Sequence, residues 1–134
     1  MKAKLFILIV FAGLFFACDK SELDSDIFRF GEETSFQQNQ TYHSVDGHLS
    51  FRIDSITDSR CPVGVYCIWS GEARVFLSVH LNQVIRDTIS TLDDAHYIQN
   101  YKFELVDVLP YPDLSVQQDT ESRVVIMKVS RGND

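Results

Sequence analysis

After residue 26, no stretch of this chain carries a sustained 3.6-residue apolar repeat, which argues against a helical bundle. Catalytic signatures are missing as well. There is no Gly-x-Ser-x-Gly, no His-Glu-x-x-His, no phosphate loop and no dinucleotide fingerprint, so no enzyme class is indicated by motif. Basic residues are outnumbered, 12 against 19 acidic, for a formal net charge of −7. An acidic chain repels phosphate backbones, so no nucleic-acid partner is expected. The apolar run Leu5–Phe16 falls short of the roughly 17–25 residues that a membrane-spanning helix needs. Cysteines number only three. Without a second cysteine pair a zinc ribbon is disfavoured, and without Cys-x-x-Cys so is a catalytic redox pair. What is present is 134 residues at 45% hydrophobic, enough for one domain with a core of its own.

Residues 1–17 have the three parts of a secretory leader. Lys2 and Lys4 form a charged start, Leu5–Phe16 an apolar middle, and Ala17 a small residue before the cut. Removing both lysines makes the remainder more acidic still. Phe15-Phe16-Ala17-Cys18 resembles the lipobox of bacterial lipoproteins. The resemblance implies cleavage before Cys18, lipidation of its thiol and a membrane partner through the lipid. Two or three acyl chains anchor stably, at about 0.8 kcal/mol per buried methylene. Residues 18–26 then read as a lipidated cysteine with an acidic tether, Asp19–Asp26, which stays solvated. Acids at this place resemble surface-export signals of some Gram-negative lipoproteins, whereas Asp19 alone resembles an inner-membrane retention signal. The expected location is the bacterial cell envelope, with the outer membrane preferred.

Residues 27–134 are dominated by period-2 alternation. Phe28 and Phe30 flank Arg29, and Leu49, Phe51 and Ile53 alternate with Ser50, Arg52 and Asp54. Asp46-Gly47 between them predicts a hairpin turn with both positions at positive φ. A long strand is predicted from Cys67 onward, with Cys67, Trp69, Gly71, Ala73, Val75, Leu77, Val79 and Leu81 on one apolar face. So long a strand should bend, and Gly71 is the expected bulge. Asn82-Gln83 is a weak turn. Thr91-x-x-Asp94 predicts a capped helical turn. The apolar phase shifts from Leu105 to Val106 and Val108, which predicts a bulge or a change of sheet. Val124–Val129, apolar on both faces, reads as a central strand. The fold class is therefore all-β: a small antiparallel β-sandwich or barrel-like domain.

An exported chain with two cysteines outside its leader should oxidise them, closing a Cys61–Cys67 disulfide over five residues. The chain-entropy estimate for so short a loop is about 2–2.5 kcal/mol. Parity places Trp69 in the core, packed on the disulfide. Pro62, Val63, Val65 and Tyr66 either form a pre-ordered contact surface or fold back onto the core. Asp58 and Arg60 flank the ring and are expected to pair at the surface or cap the loop, which contributes under about 1 kcal/mol. Asp54, Asp58 and Glu72 match no calcium-loop spacing and read as solvated acids. His43, His48, His80 and His96 are scattered. No metal or other cofactor is expected.

Asp58-Ser59-Arg60-Cys61-Pro62, then Gly64, Cys67, Trp69, Gly71 and Ala73, resemble the signature of an uncharacterised family of small bacterial envelope proteins. Phe28–Glu32 and Leu105–Pro112 are similar to segments on either side of that signature. The resemblance implies an all-β domain and an envelope location. It implies no activity. The functional expectation is a non-enzymatic binding or structural module, anchored by lipid, with an unknown protein or small-molecule partner. The alternatives are an inhibitor of an extracellular enzyme offering loop 60–67, and a metal-binding or enzymatic site assembled only in the fold.

Overall fold

The computed structural model describes residues 26–115 and 122–132. The leader, Cys18 and all of the acidic tether but Asp26 lie outside these residues. Nine strands are described: β1 (Ile27–Phe28), β2 (Glu33–Gln37), β3 (Thr41–Ser44), β4 (Ser50–Asp58), β5 (Ala73–His80), β6 (Val84–Ser90), β7 (His96–Ile98), β8 (Tyr101–Leu109) and β9 (Val124–Arg131). They form a five-stranded sheet in the order β1-β3-β4-β5-β6 and a four-stranded sheet in the order β2-β9-β8-β7. Every pairing is antiparallel except β1 with β3.

The two sheets pack face to face, because alternate residues on each present rings and branched chains to the other. Phe51 of β4 is the hub. Its ring lies 5.0 Å from Phe36 of β2 and 5.8 Å from Phe103 of β8, both edge-on. Phe28 and Tyr42 close the cluster on the same side. Each fully buried side chain of this size contributes roughly 1.5–3 kcal/mol. Val75, Leu77 and Val79 of β5 and Val125, Met127 and Val129 of β9 extend the core between the sheets. β9 lies between β2 and β8; Val125, Met127 and Val129 on its inner face are buried, while Val124 and Ile126 on its outer face are half-buried.

Two bulges correct the simple alternation. In β4 the register with β5 shifts between Ile53 and Ser55. Asp54 is the extra residue, so Ile53 and Ile56 both point inward despite odd spacing. The Asp54 carboxylate accepts from Ser78 Oγ at 2.6 Å. In β8 the shift falls between Leu105 and Asp107, at Val106, where the apolar phase changes. Val108 is buried and Val106 is left half-exposed.

Several local expectations are overturned. The strand after the cysteines begins at Ala73, not Cys67. Thr91–Asp94 makes a turn rather than a helical cap, with Asp93 N donating to Ser90 O at 3.1 Å. At the β3–β4 connection only Gly47 takes positive φ, at 71°. The turn is wider than two residues, closed by Ser44 N on Leu49 O at 2.8 Å.

That wider turn is held by Asp46. Its carboxylate accepts from Ser44 Oγ at 2.6 Å and from His48 N at 3.0 Å, and pairs with Arg131 at the end of β9. The Ser44 hydroxyl, the His48 amide and Arg131 together hold Asp46 down at about 2, against an ordinary 3.8. A carboxylate held low stabilises the fold fully above its unfolded value and loses that contribution as pH falls through its folded value. The stability gap between wild type and Asp46→Asn is therefore expected to be constant above pH about 4. It should close between there and pH about 2, as read by thermal melts across the acid range.

Candidate functional site

One end of the sandwich carries the cysteine loop. β4 runs into it and β5 runs out of it. Past the last paired residues, Asp58 and Ala73, the two strands continue as a narrow neck. Ser59 N donates to Glu72 O at 2.8 Å, and Cys61 N donates to Ser70 O at 2.8 Å. Gly71 sits inside that neck at φ +72°. A Cβ there would lie 1.9 Å from the Ser59 carbonyl oxygen, so only glycine lets the strands approach this closely. The positive φ also turns the chain, which is why the alternation of β5 does not continue back through Trp69.

Cys61 and Cys67 are joined by a disulfide, with Cα atoms 5.9 Å apart. Within the ring, Gly64 adopts φ +76° and Val65 N donates to Pro62 O at 3.3 Å. The ring is tied to the body through Val63 N, which donates to Pro112 O at 2.9 Å. It does not fold back onto the core. Val63 and Val65 are exposed, and Tyr66 and Ile68 are fully so. Trp69 is 63% exposed, which corrects its expected place in the core. Pro62 is half-buried.

Asp58 and Arg60 are also corrected, in the opposite direction. Instead of a surface pair they form a buried one: the Asp58 side chain is 0% exposed and that of Arg60 is 8%. Arg60 donates from Nε to Asp58 Oδ1 at 2.9 Å and from Nη2 to Asp58 Oδ2 at 2.7 Å. From the other side of the fork, Nη1 reaches Asp107 at 2.8 Å, and Nη2 also reaches the Val108 carbonyl oxygen at 2.5 Å. The guanidinium lies over the Tyr111 ring, 4.4 Å from its centroid. Burial alone would lower the Arg60 pKa. The hydrogen bonds and charge of Asp58, followed by those of Asp107, outweigh it and hold the group above its ordinary value. A bidentate fork of this kind fixes geometry as well as charge. It joins β4 to β8 beneath the ring, across the two sheets.

The acids considered for calcium do not share a centre. Asp58 serves Arg60, Glu72 pairs with Arg74 and Ser90, and Asp54 accepts from Ser78. Among the described residues, no group of three His, Cys, Asp or Glu side chains is placed to hold a metal ion. The open depressions lie elsewhere. One of about 380 Å3 is lined by the turn-end residues Gly47, His48, Leu81, Asn82 and Tyr101.

Sequence reasoning missed the extent of the apolar surface. Of the fourteen large apolar side chains exposed among the described residues, nine lie at the ring end. Besides the ring residues these include Leu92, Leu109, Tyr111 and Leu114, contributed by the β6–β7 connection, by the last residue of β8 and by the segment after it. One signal was available: five residues inside a seven-residue ring have too few neighbours to be covered.

No protein-family model matches this chain, and no curated protein or solved structure matches it either.

Proposed function

We propose that this protein is a lipid-anchored bacterial envelope protein whose sandwich is a non-enzymatic binding module, making contact through its disulfide ring. One observation carries the reading. Val63, Val65, Tyr66, Ile68 and Trp69 stand exposed together on a loop that is closed covalently and braced from below by a buried arginine. Exposed apolar groups gathered at one place mark contact surfaces. A loop already fixed in shape loses little freedom on binding. The leader and Cys18 support the anchor.

The inhibitor reading of loop 60–67 loses its charged residue, because Arg60 is committed to Asp58 and Asp107. Only the apolar ring would remain to be offered.

Two measurements test the proposal. Metabolic labelling with a radioactive fatty acid should mark the wild type and not Cys18→Ser; equal labelling would remove the anchor. A photoreactive amino acid placed at Tyr66 should give cross-linked adducts in intact cells. The same group at Asn82, on the opposite end of the sandwich, should give far fewer. Equal yields at both positions would remove the ring as the contact surface.

A further inference from the structure

We propose that the end of the sandwich opposite the disulfide ring holds a second binding site, one that takes a neutral saccharide. It lies in the depression of about 380 Å3 among the turns and is separate from the contact assigned to the ring.

Three connections meet there. β3–β4 supplies Gly47 and His48, β5–β6 supplies Leu81 and Asn82, and β7–β8 supplies Gln99 and Asn100. The first two join strands of one sheet and the third joins strands of the other. The depression therefore opens over the gap between the sheets. Its volume falls in the range of about 300–1,000 Å3 that small-molecule sites occupy. Tyr101 and Leu81 form its apolar part, both packed against the core. Tyr101 is held in place: its ring stacks on Phe30 at 5.8 Å, and the Arg131 guanidinium lies over Phe30, 5.0 Å from the centroid. Gly132 N donates to Asn100 O at 2.6 Å, which fixes the β7–β8 turn to the end of β9. Walls set in advance lose little freedom when a ligand arrives.

The rim is polar without carrying fixed charge. His48, Asn82, Gln99 and Asn100 are exposed, and their side chains make no hydrogen bond to another described residue. Each side-chain amide both donates and accepts, so it can serve neighbouring hydroxyls, which do the same. No carboxylate, ammonium or guanidinium lines the depression, although the chain as a whole carries −7. The ion pair next to it, Asp46 with Arg131, is closed on itself. A sugar ring has apolar C–H faces and hydroxyl edges, which suits an apolar floor beneath uncharged donors and acceptors. A phosphate or an ammonium ligand would find no counter-charge here.

The backbone at the rim points the same way. Ile98 lies opposite Tyr101, so Gln99 and Asn100 make up a two-residue hairpin turn. Of the two, only Gln99 takes positive φ, at 54°. A turn of that kind normally has glycine at its first position, and where it does not, asparagine bears the left-handed backbone more easily than glutamine. The chain has the order Gln-Asn and so places the longer amide on the strained residue. Strain of this kind clusters at ligand sites, and here it falls on one of the four uncommitted polar side chains of the rim.

The full chain, isotope-labelled and purified from the bacterium expressing it, would be titrated with glucose and with cellobiose and followed by amide NMR. The amides of Gly47, Asn82 and Asn100 should shift together and saturate, with a Kd on the order of 1 mM. Those of Val65 and Tyr66, at the ring, should not move. Gln99→Gly relieves the strain and removes the amide. It should melt at or above the wild-type temperature yet bind glucose about two- to tenfold more weakly, the effect of one lost hydrogen bond. Asn82→Ala should weaken binding to a similar degree with an unchanged melt. Wild-type affinity in both variants overturns the proposal, as does the absence of saturable shifts or their gathering at the ring. Tighter binding of glucuronate or glucosamine than of glucose also overturns it, because a charge would then be read. A free saccharide bound here yields no protein adduct, so Asn82 stays a fair contrast for the ring in cross-linking.

Discussion

Replacing Arg60 with alanine is expected to lower the unfolding free energy by about 3–5 kcal/mol, the usual cost of stripping one partner from a buried ion pair. The loss comes less from the attraction that disappears than from what stays behind. The Asp58 side chain has no exposure, and without the guanidinium its carboxylate keeps the Arg60 backbone amide, at 3.1 Å, as a donor. The Val108 carbonyl oxygen loses its donor as well. Such a loss is a large fraction of a typical stability of about 5–15 kcal/mol. Urea unfolding of the variant would measure it. Arg60→Lys should recover only part, because an ammonium cannot span both Asp58 oxygens and Asp107 at once. Combining Arg60→Met with Asp58→Leu should recover more than either change alone, since it leaves no buried charge unmatched. If alanine costs less than about 1 kcal/mol, the pair behaves like an ordinary surface bridge and its role as a brace is wrong.

The second large effect is expected at Gly71. Left-handed backbone costs a residue with a side chain about 1–2 kcal/mol. Gly71→Ala meets that strain and a backbone collision too, with the new Cβ 1.9 Å from Ser59 O and 2.8 Å from Arg60 Cα. Neither atom belongs to a flexible side chain, so the neck must open. Gly47 supplies the control. Its φ is nearly the same, +71°, and nothing lies within 4 Å of a Cβ there. Gly47→Ala should lose only the strain, and the excess loss in Gly71→Ala isolates the close approach. Equal losses in the two variants, measured by thermal melts, would mean that the neck tolerates displacement. The same opening would move Arg60 away from Asp107. The two predictions are therefore coupled, and the double variant should lose less than the sum.

The sheets were legible because their signal is local. Phe51, Ile53, Val75, Leu77 and Val79 alternate with polar neighbours, and each lies in the core. The disulfide was legible from its spacing and from the reading of the chain as exported. Val106 was legible as a bulge because the apolar phase itself breaks there. The ring's orientation was not legible. Parity assumes one unbroken strand, and a single glycine at positive φ ends that assumption for Cys67 and Trp69. Arg60 was misjudged for a different reason. Its partners Asp107 and Val108 lie 47 and 48 residues away, and nothing in local spacing announces a contact between strands of different sheets. The ring end as a patch was hidden likewise, since Leu92, Tyr111 and Leu114 join it only through the fold.

The pairing of β2 with β9 has a consequence for how such a chain matures. Glu33 lies opposite Lys128 and Gln37 opposite Val124, so β2 is completed by β9, the last of the described strands. Any chain that emerges amino end first exposes β2 long before its partner β9. Until residues 124–131 arrive, Phe36 has no neighbour on that side and the second sheet lacks the strand that joins β2 to β8. The first sheet is assembled without β9, because β3, β4, β5 and β6 follow one another as consecutive hairpins. The half-formed protein is thus one sheet with a bare aromatic face. Closure of the second sheet therefore waits for residues 124–131.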